Sequence, residues 1–386
     1  MSDRRNFGLD VLRSSASLSV MVLTHGAFFF YHLWPNQRAI WYVGSLGMDM
    51  FFVLSGFLIG GILLDSLSEG GPGWVRRFWM RRWIRTLPNY YIFLVVNIGL
   101  WLYTFGPVPD WPKYLVFAQN LIWPQSQFFP ESWSLALEEM FYLVAPLMFL
   151  LFALDPAKPK RTLMVGALVI GFGILARYAW VLYMNPTWDD GVKKVVVARI
   201  DAIAYGVFAV QWFRYVRPDR ALTARVAIGG TLLVLVAGAI YLSSNEDTSV
   251  VARVVPFALQ GAGFAMMLPW FAGLDGARAP NWYRVVSNRL AVWSYSWYVI
   301  HLVVMRIMDI VVPGHYGWAL STLKLVAFVT ISLVWSWANY TYVEKPILRW
   351  RNRRIGGSEV HIVPADSRAP DGETRGGNRL DQVREA

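Results

Sequence analysis

About ten apolar runs, each close to the length that crosses a bilayer, constrain this 386-residue chain more than any motif does. A helix rises about 1.5 Å per residue, so roughly 20 apolar residues span the hydrocarbon core. Such runs lie near 9–33, 44–65, 87–106, 133–153, 162–184, 197–213, 224–243, 252–273, 290–312 and 318–342. The expected fold is all-α: a polytopic membrane protein built as a bundle of about ten transmembrane helices. The first run is too long for a cleavable signal peptide, and no small-residue cleavage site follows it, so it is read as a span. Only 16% of residues are charged, against about 25% in an ordinary soluble domain. The 20 tryptophans suit the membrane–water interface and make membrane lipids the first expected partners.

The formal net charge of +11 would suggest nucleic acid in a soluble protein. Here the basic residues fall in alternate short gaps between apolar runs, which makes them topology signals and leaves no nucleic-acid partner to expect. One set of gaps carries Arg76, Arg77, Arg81, Arg82 and Arg85, then Lys158, Lys160 and Arg161, then Arg214, Arg217, Arg220 and Arg225, then Arg278, Arg284 and Arg289. The other set holds little beyond Arg38, Lys113, Lys193 and Lys194. Both termini are therefore expected in the cytoplasm. Residues 1–350 read as the transmembrane domain. Residues 351–386, rich in Gly, Arg, Asp, Glu and Ser, read as a disordered cytoplasmic tail.

Cysteine is absent, which excludes disulfides, thiolate metal sites and a cysteine nucleophile. No Walker A loop, dinucleotide-binding glycine pattern, His-Glu-x-x-His metal motif or Gly-x-Ser-x-Gly elbow occurs, and no metal is expected. The informative residues are ionisable groups inside apolar runs, which are costly there and are functional candidates by default. These are His25, the pair Glu138–Glu139, and His301. Counted along their helices, all three positions fall at comparable depth, His25 and His301 somewhat past the midplane. A carboxylate beside a neutral imidazole orients it for general-base work. Against this stands the plain reading, a helix–helix hydrogen bond. Neighbouring helical positions point about 100° apart, so one of Glu138 and Glu139 is expected to face inward. Arg82 and Arg85 share a helix face, a pairing that suits a phosphate-bearing ligand and equally suits anchoring to anionic lipid heads.

Several blocks carry a family resemblance. They are Leu9-Asp10-Val11-Leu12-Arg13 with Thr24-His25, the stretch Gly47 to Ile59, and Arg81-Arg82-Trp83-Ile84-Arg85-Thr86-Leu87-Pro88. Trp133-Ser134-Leu135-Ala136-Leu137-Glu138-Glu139-Met140-Phe141-Tyr142, then Arg199 to Gly206, Ser294 to His301, and Tyr342 to Pro346 complete the set. In this order they resemble the membrane-bound acyltransferase family 3, bacterial proteins that often O-acetylate surface glycans, over about residues 6 to 350. The resemblance implies an acyl-CoA donor, typically acetyl-CoA, held by Arg13, Arg82 and Arg85. It implies His25 as general base with Glu138 or Glu139, or else an acyl-His intermediate. It places Arg199, Asp201, His301 and Trp133 with a glycan or glycolipid acceptor. Arg199 and Asp201 could instead simply pair with each other. Some members carry an extracytoplasmic esterase-like domain that this chain has no room for, so a separate extracytoplasmic transferase is a possible partner. A transporter or flippase of a glycan or lipid intermediate is the alternative activity. One departure stands out: eleven residues separate Arg13 from His25 where the family usually has ten, which on a regular helix sets them about 120° apart.

Overall fold

The computed structural model describes residues 6–355, apart from Gly70, Pro72, Ala153, Pro156 and His315. The expected tail from 356 to 386 lies outside the described residues. Among the described residues there are helices and loops and no strand. The helices are α1 (Phe7–Leu18), α2 (His25–Phe28), α3 (Arg38–Glu69), α4 (Trp74–Thr104), α5 (Trp111–Leu115), α6 (Ser132–Leu151) and α7 (Pro159–Met184). After these come α8 (Ala204–Val216), α9 (Arg220–Ser243), α10 (Val250–Ala272), α11 (Asn281–Val311), α12 (Trp318–Asn339) and α13 (Lys345–Ile355). A π-helical turn at Ser19–Thr24 joins α1 to α2, and another at Tyr340–Glu344 joins α12 to α13.

Eight helical stretches among the described residues are long and apolar enough to cross a membrane. The chain is an all-α, multi-pass membrane protein, and two of the expected spans take another form. The run at 87–106 is the second half of the 31-residue α4, whose apolar face is broken by Asn89, Tyr90, Tyr91, Asn97 and Tyr103. The run at 197–213 is helical as α8 only from Ala204, after a 3₁₀ turn at Val197–Arg199. Helix α13 continues to Ile355, so Arg351 to Ile355 belong to the folded body and not to the expected tail.

The bundle is assembled by close backbone approach and buried polar contacts, the two means available where lipid is as apolar as leucine. Helix α1 lies against α3 and α11, and α3 crosses α8. At that crossing Gly56 and Gly206 face each other's helix. A Cβ on Gly56 would run into the Ile203 carbonyl and one on Gly206 into the Val53 carbonyl, so only glycine fits. Across α4, α11 and α12, Asn339 Nδ2 donates to Asn89 Oδ1 (3.2 Å) and to Ser296 Oγ (3.0 Å). Ser296 in turn donates to Glu344 Oε2 (2.9 Å). These contacts hold α11 against α4 and α12, and α1 packs along its other side, which is the frame for the site.

Candidate active site

Helix α11 presents Tyr295, Tyr298 and His301 at three-residue spacing, so they form one ridge. Each reaches a different neighbour. Tyr295 OH donates to the Thr86 carbonyl of α4 (2.7 Å). Tyr298 OH meets Ser134 Oγ of α6 (2.7 Å) and donates to the Glu131 carbonyl (2.8 Å). His301 Nε2 lies 3.2 Å from His25 Nδ1, with the two rings edge to face at 4.6 Å between centroids. The ridge thus sets the level of both imidazoles.

The hydrogen-bond partners fix where the imidazole protons sit. Carbonyl oxygens only accept, and His301 Nδ1 is 2.6 Å from the Tyr298 carbonyl, so Nδ1 carries the proton and Nε2 is the acceptor. His25 Nδ1 faces two acceptors, the Val20 carbonyl at 2.9 Å and His301 Nε2 at 3.2 Å, so it too carries the proton. His25 Nε2 is left with its lone pair, and no group among the described residues takes it up. His301 is fully buried while His25 is partly accessible. The pair can therefore accept a proton at one defined atom, on the less buried of the two rings.

The extra residue between Arg13 and His25 has a physical explanation. The π-helical turn at Ser19–Thr24 takes up one residue more than an α-turn would, so Arg13 and His25 return to within about 20° of a common face. The Val20 carbonyl that orients His25 lies five residues back, inside this π turn.

The carboxylates sit elsewhere. Glu139 Oε1 accepts from Thr86 Oγ1 (2.6 Å), and Glu138 Oε2 accepts from Tyr142 OH (2.9 Å), which also meets Ser55 Oγ (2.6 Å). Since Tyr295, the ridge residue at the Thr86 level, is six residues from His301, this layer lies roughly 9 Å from the imidazoles along α11. The structure brings His25 to His301 and brings neither carboxylate to His25. Glu139 is buried and turned toward α4, while Glu138 is partly buried and bonded to Tyr142 of its own helix. Glu138 lies within electrostatic reach of Arg85, Arg13 and Arg82. The Arg82 guanidinium sits over the rings of Tyr142 (5.9 Å) and Phe78 (6.0 Å). Among the described residues neither Arg82 nor Arg85 has a side-chain hydrogen bond or ion pair, although both are partly buried.

The remaining expected residues are embedded in the packing. Trp133 is buried, edge-on to Phe52 at 5.6 Å. Arg199 pairs with Asp49 of α3, and Asp201 accepts two bonds from Arg177 of α7, both at 2.9 Å. They do not pair with each other. Just outside the spans, Lys193 and Lys194 bind Asp189 at 2.9 and 2.5 Å, near His25. Burial works to raise the Asp189 carboxyl, and the two ammonium groups outweigh it and hold it below the ordinary carboxylate range. Tyr298, Arg177 and the Val20 carbonyl were not identified from sequence. The three-residue spacing of Tyr295, Tyr298 and His301 was the one signal that could have exposed the ridge.

The acyltransferase domain family Acyl_transf_3 matches residues 6–341. The chain is 31% identical to the peptidoglycan O-acetyltransferase OatA of Listeria monocytogenes, covering 59% of this chain and 38% of the relative. It is 26% identical to SAR0937 of Staphylococcus aureus, named as an O-acetyltransferase, covering 90% of this chain and 59% of the relative. It is 33% identical to YrhL of Bacillus subtilis, named as a peptidoglycan O-acetyltransferase, over 40% of this chain and 25% of the relative. This chain thus spans less than two thirds of the length of each of these relatives. No solved structure matches.

Proposed function

This chain belongs to the membrane-bound acyltransferase family 3, and from that premise we propose that it transfers an acetyl group from acetyl-CoA to a hydroxyl of a glycan or glycolipid. The observation that carries the reading is the histidine pair, which leaves one partly accessible imidazole nitrogen, His25 Nε2, with its lone pair free. The unpaired guanidinium groups of Arg82 and Arg85 supply the other requirement, a place for donor phosphates. Arg13, which shares a face with His25 and lies within reach of Glu138, extends this end of the path.

Arg13 and His25 are twelve residues apart, roughly 18 Å along the helix axis. An extended pantetheine arm covers a distance of that order, so a donor anchored at the arginines delivers its thioester to the imidazole level. The acceptor hydroxyl gives its proton to His25 Nε2 while its oxygen attacks the thioester carbonyl. The C–O ester bond forms, the C–S bond breaks, and the imidazolium returns the proton to the departing thiolate. During the step His25 keeps Nδ1–H on the Val20 carbonyl and His301 Nε2. His301 thereby fills the orienting role that a carboxylate has in a Ser-His-Asp arrangement.

By the distribution of basic residues, the arginine end faces the cytoplasm, where acyl-CoA is available, and the acceptor meets His25 from the outer side. The names of two relatives make a peptidoglycan hydroxyl the first acceptor to test. The test compares ester-linked acetate in envelope glycans, by mass spectrometry, among a deletion strain, a wild-type complement and a His25→Ala complement at matched membrane levels. The proposal expects the ester to vanish on deletion, return with wild type and stay absent with His25→Ala. An unchanged ester profile, with a glycan intermediate accumulating inside the cell, would favour a transporter instead.

A further inference from the structure

Helix α13 brings one more guanidinium to the arginine end. Arg351 Nη1 donates to the Arg81 carbonyl at 3.2 Å, and its charge lies within reach of Arg85 and Arg81. Arg82 in turn lies within reach of Arg85, Arg351 and Arg81. Arg351 Nε and Nη2 rest on Asn352 Oδ1 of the next residue, at 3.1 and 2.8 Å. Among the described residues Arg351 has no carboxylate partner. It is partly buried, whereas Arg353 and Arg354 on the same helix are exposed. Arg351 thus turns toward α4, away from the exposed Arg353 and Arg354.

Like charges held together away from water repel one another, and the repulsion is relieved when an anion is shared among them. The carboxyl groups at this end are Glu138, within reach of Arg85, Arg13 and Arg82, and Glu139, within reach of Arg82. An anion that satisfied Arg82 and Arg85 on α4 together with Arg351 on α13 would have to bridge two helices, which suits a ligand with more than one phosphate. The position of α13 is built in. It follows the π turn at Tyr340–Glu344, whose Glu344 is held by Ser296 of α11, and it packs along α4.

We propose that Arg351 is a donor-binding residue, completing with Arg82 and Arg85 the site for the phosphates of a coenzyme A thioester. This rests on the reading of the arginine end as the donor site. The test is binding of CoA to the full chain in nanodiscs, by calorimetry, for wild type, Arg351→Gln and Arg354→Gln, with phosphate-free pantetheine as a second probe. Loss of a charge-assisted contact predicts a Kd for CoA raised about tenfold or more by Arg351→Gln. Arg354→Gln should leave it unchanged, and pantetheine should not distinguish the three proteins. Arg351→Lys, which keeps the charge and loses the fork, should fall between wild type and Arg351→Gln, and it decides the matter if Arg351→Gln does not fold. If wild type binds CoA and Arg351→Gln binds it equally well, Arg351 has no such role. A wild type that does not bind CoA removes the donor reading itself.

Discussion

A neutral imidazole carries one proton, and the atom that holds it decides which nitrogen can act as a base. Here two carbonyls make that choice: Tyr298 for His301 and Val20 for His25. In the proposed mechanism His301 positions His25, so His301→Ala should lower kcat by about 10² while leaving the KM for acetyl-CoA near wild type, a split read by steady-state kinetics. Loss of the proposed base, in His25→Ala, should cost about 10²–10⁴ in kcat. Glu138→Gln should cost far less than His25→Ala, about tenfold or under, because Glu138 is bonded to Tyr142 and not to His25. A Glu138→Gln defect as deep as that of His25→Ala would return the carboxylate to the base's side. Of the intramembrane candidates, His25, His301, Glu138 and Glu139 were all visible in sequence as costly groups in apolar runs. Their pairing was not. Depth counted along separate helices carries no information about rotation or lateral distance, and it placed the carboxylates at the imidazole level when they lie about two turns away.

At the scale of elements, the first membrane helix is regular except at Ser19–Thr24. The π turn at Ser19–Thr24 absorbs one residue and supplies the Val20 carbonyl. Deleting one residue within 19–24 should let the turn revert to α-helix and keep Arg13 and His25 on one face, so transfer activity should survive within about tenfold. Inserting one residue there should rotate His25 by about 100° and abolish activity. Both are checked with purified protein at equal folded amounts. The eleven-residue separation announced an irregularity in the sequence, since a regular helix could not have kept the two residues together. The identity of the distortion was not legible, because nothing in Ser19 to Thr24 favours a π turn over a kink. Helix α8 was misjudged for a related reason. Most of 197–203 is buried, with Ile200 exposed, but in a turn that carries Arg199 and Asp201 to their partners and not in a spanning helix.

Across the whole molecule, buried ion pairs fix the relative placement of helices. Arg177 holds Asp201 through two bonds, and Arg199 holds Asp49, joining α7 and α3 to the turn before α8. Removing one partner leaves a buried charge alone, so Asp201→Asn should destabilise the protein by about 3–5 kcal/mol. The measurement is thermal unfolding of purified protein, and acetyl transfer per folded molecule should be little changed. An equal loss of activity at unchanged stability would make Asp201 part of the acceptor site instead. The all-α, multi-pass architecture was readable from apolar run length, because run length is what a bilayer selects. Which charges pair was not, because Asp49 lies 150 residues from Arg199, and Asp201 meets Arg177 of α7 only through the turns that precede α8. The central claim joins two ends of one path, a donor held by arginines and a base roughly 18 Å away. The most direct test uses purified protein in nanodiscs with acetyl-CoA and a soluble peptidoglycan fragment, following free thiol release and CoA binding together. The account predicts that His25→Ala binds CoA as wild type does and releases no thiol above background, while Arg82→Gln with Arg85→Gln loses CoA binding. Thiol release at the wild-type rate by His25→Ala, with acetate transferred to the fragment, would contradict it.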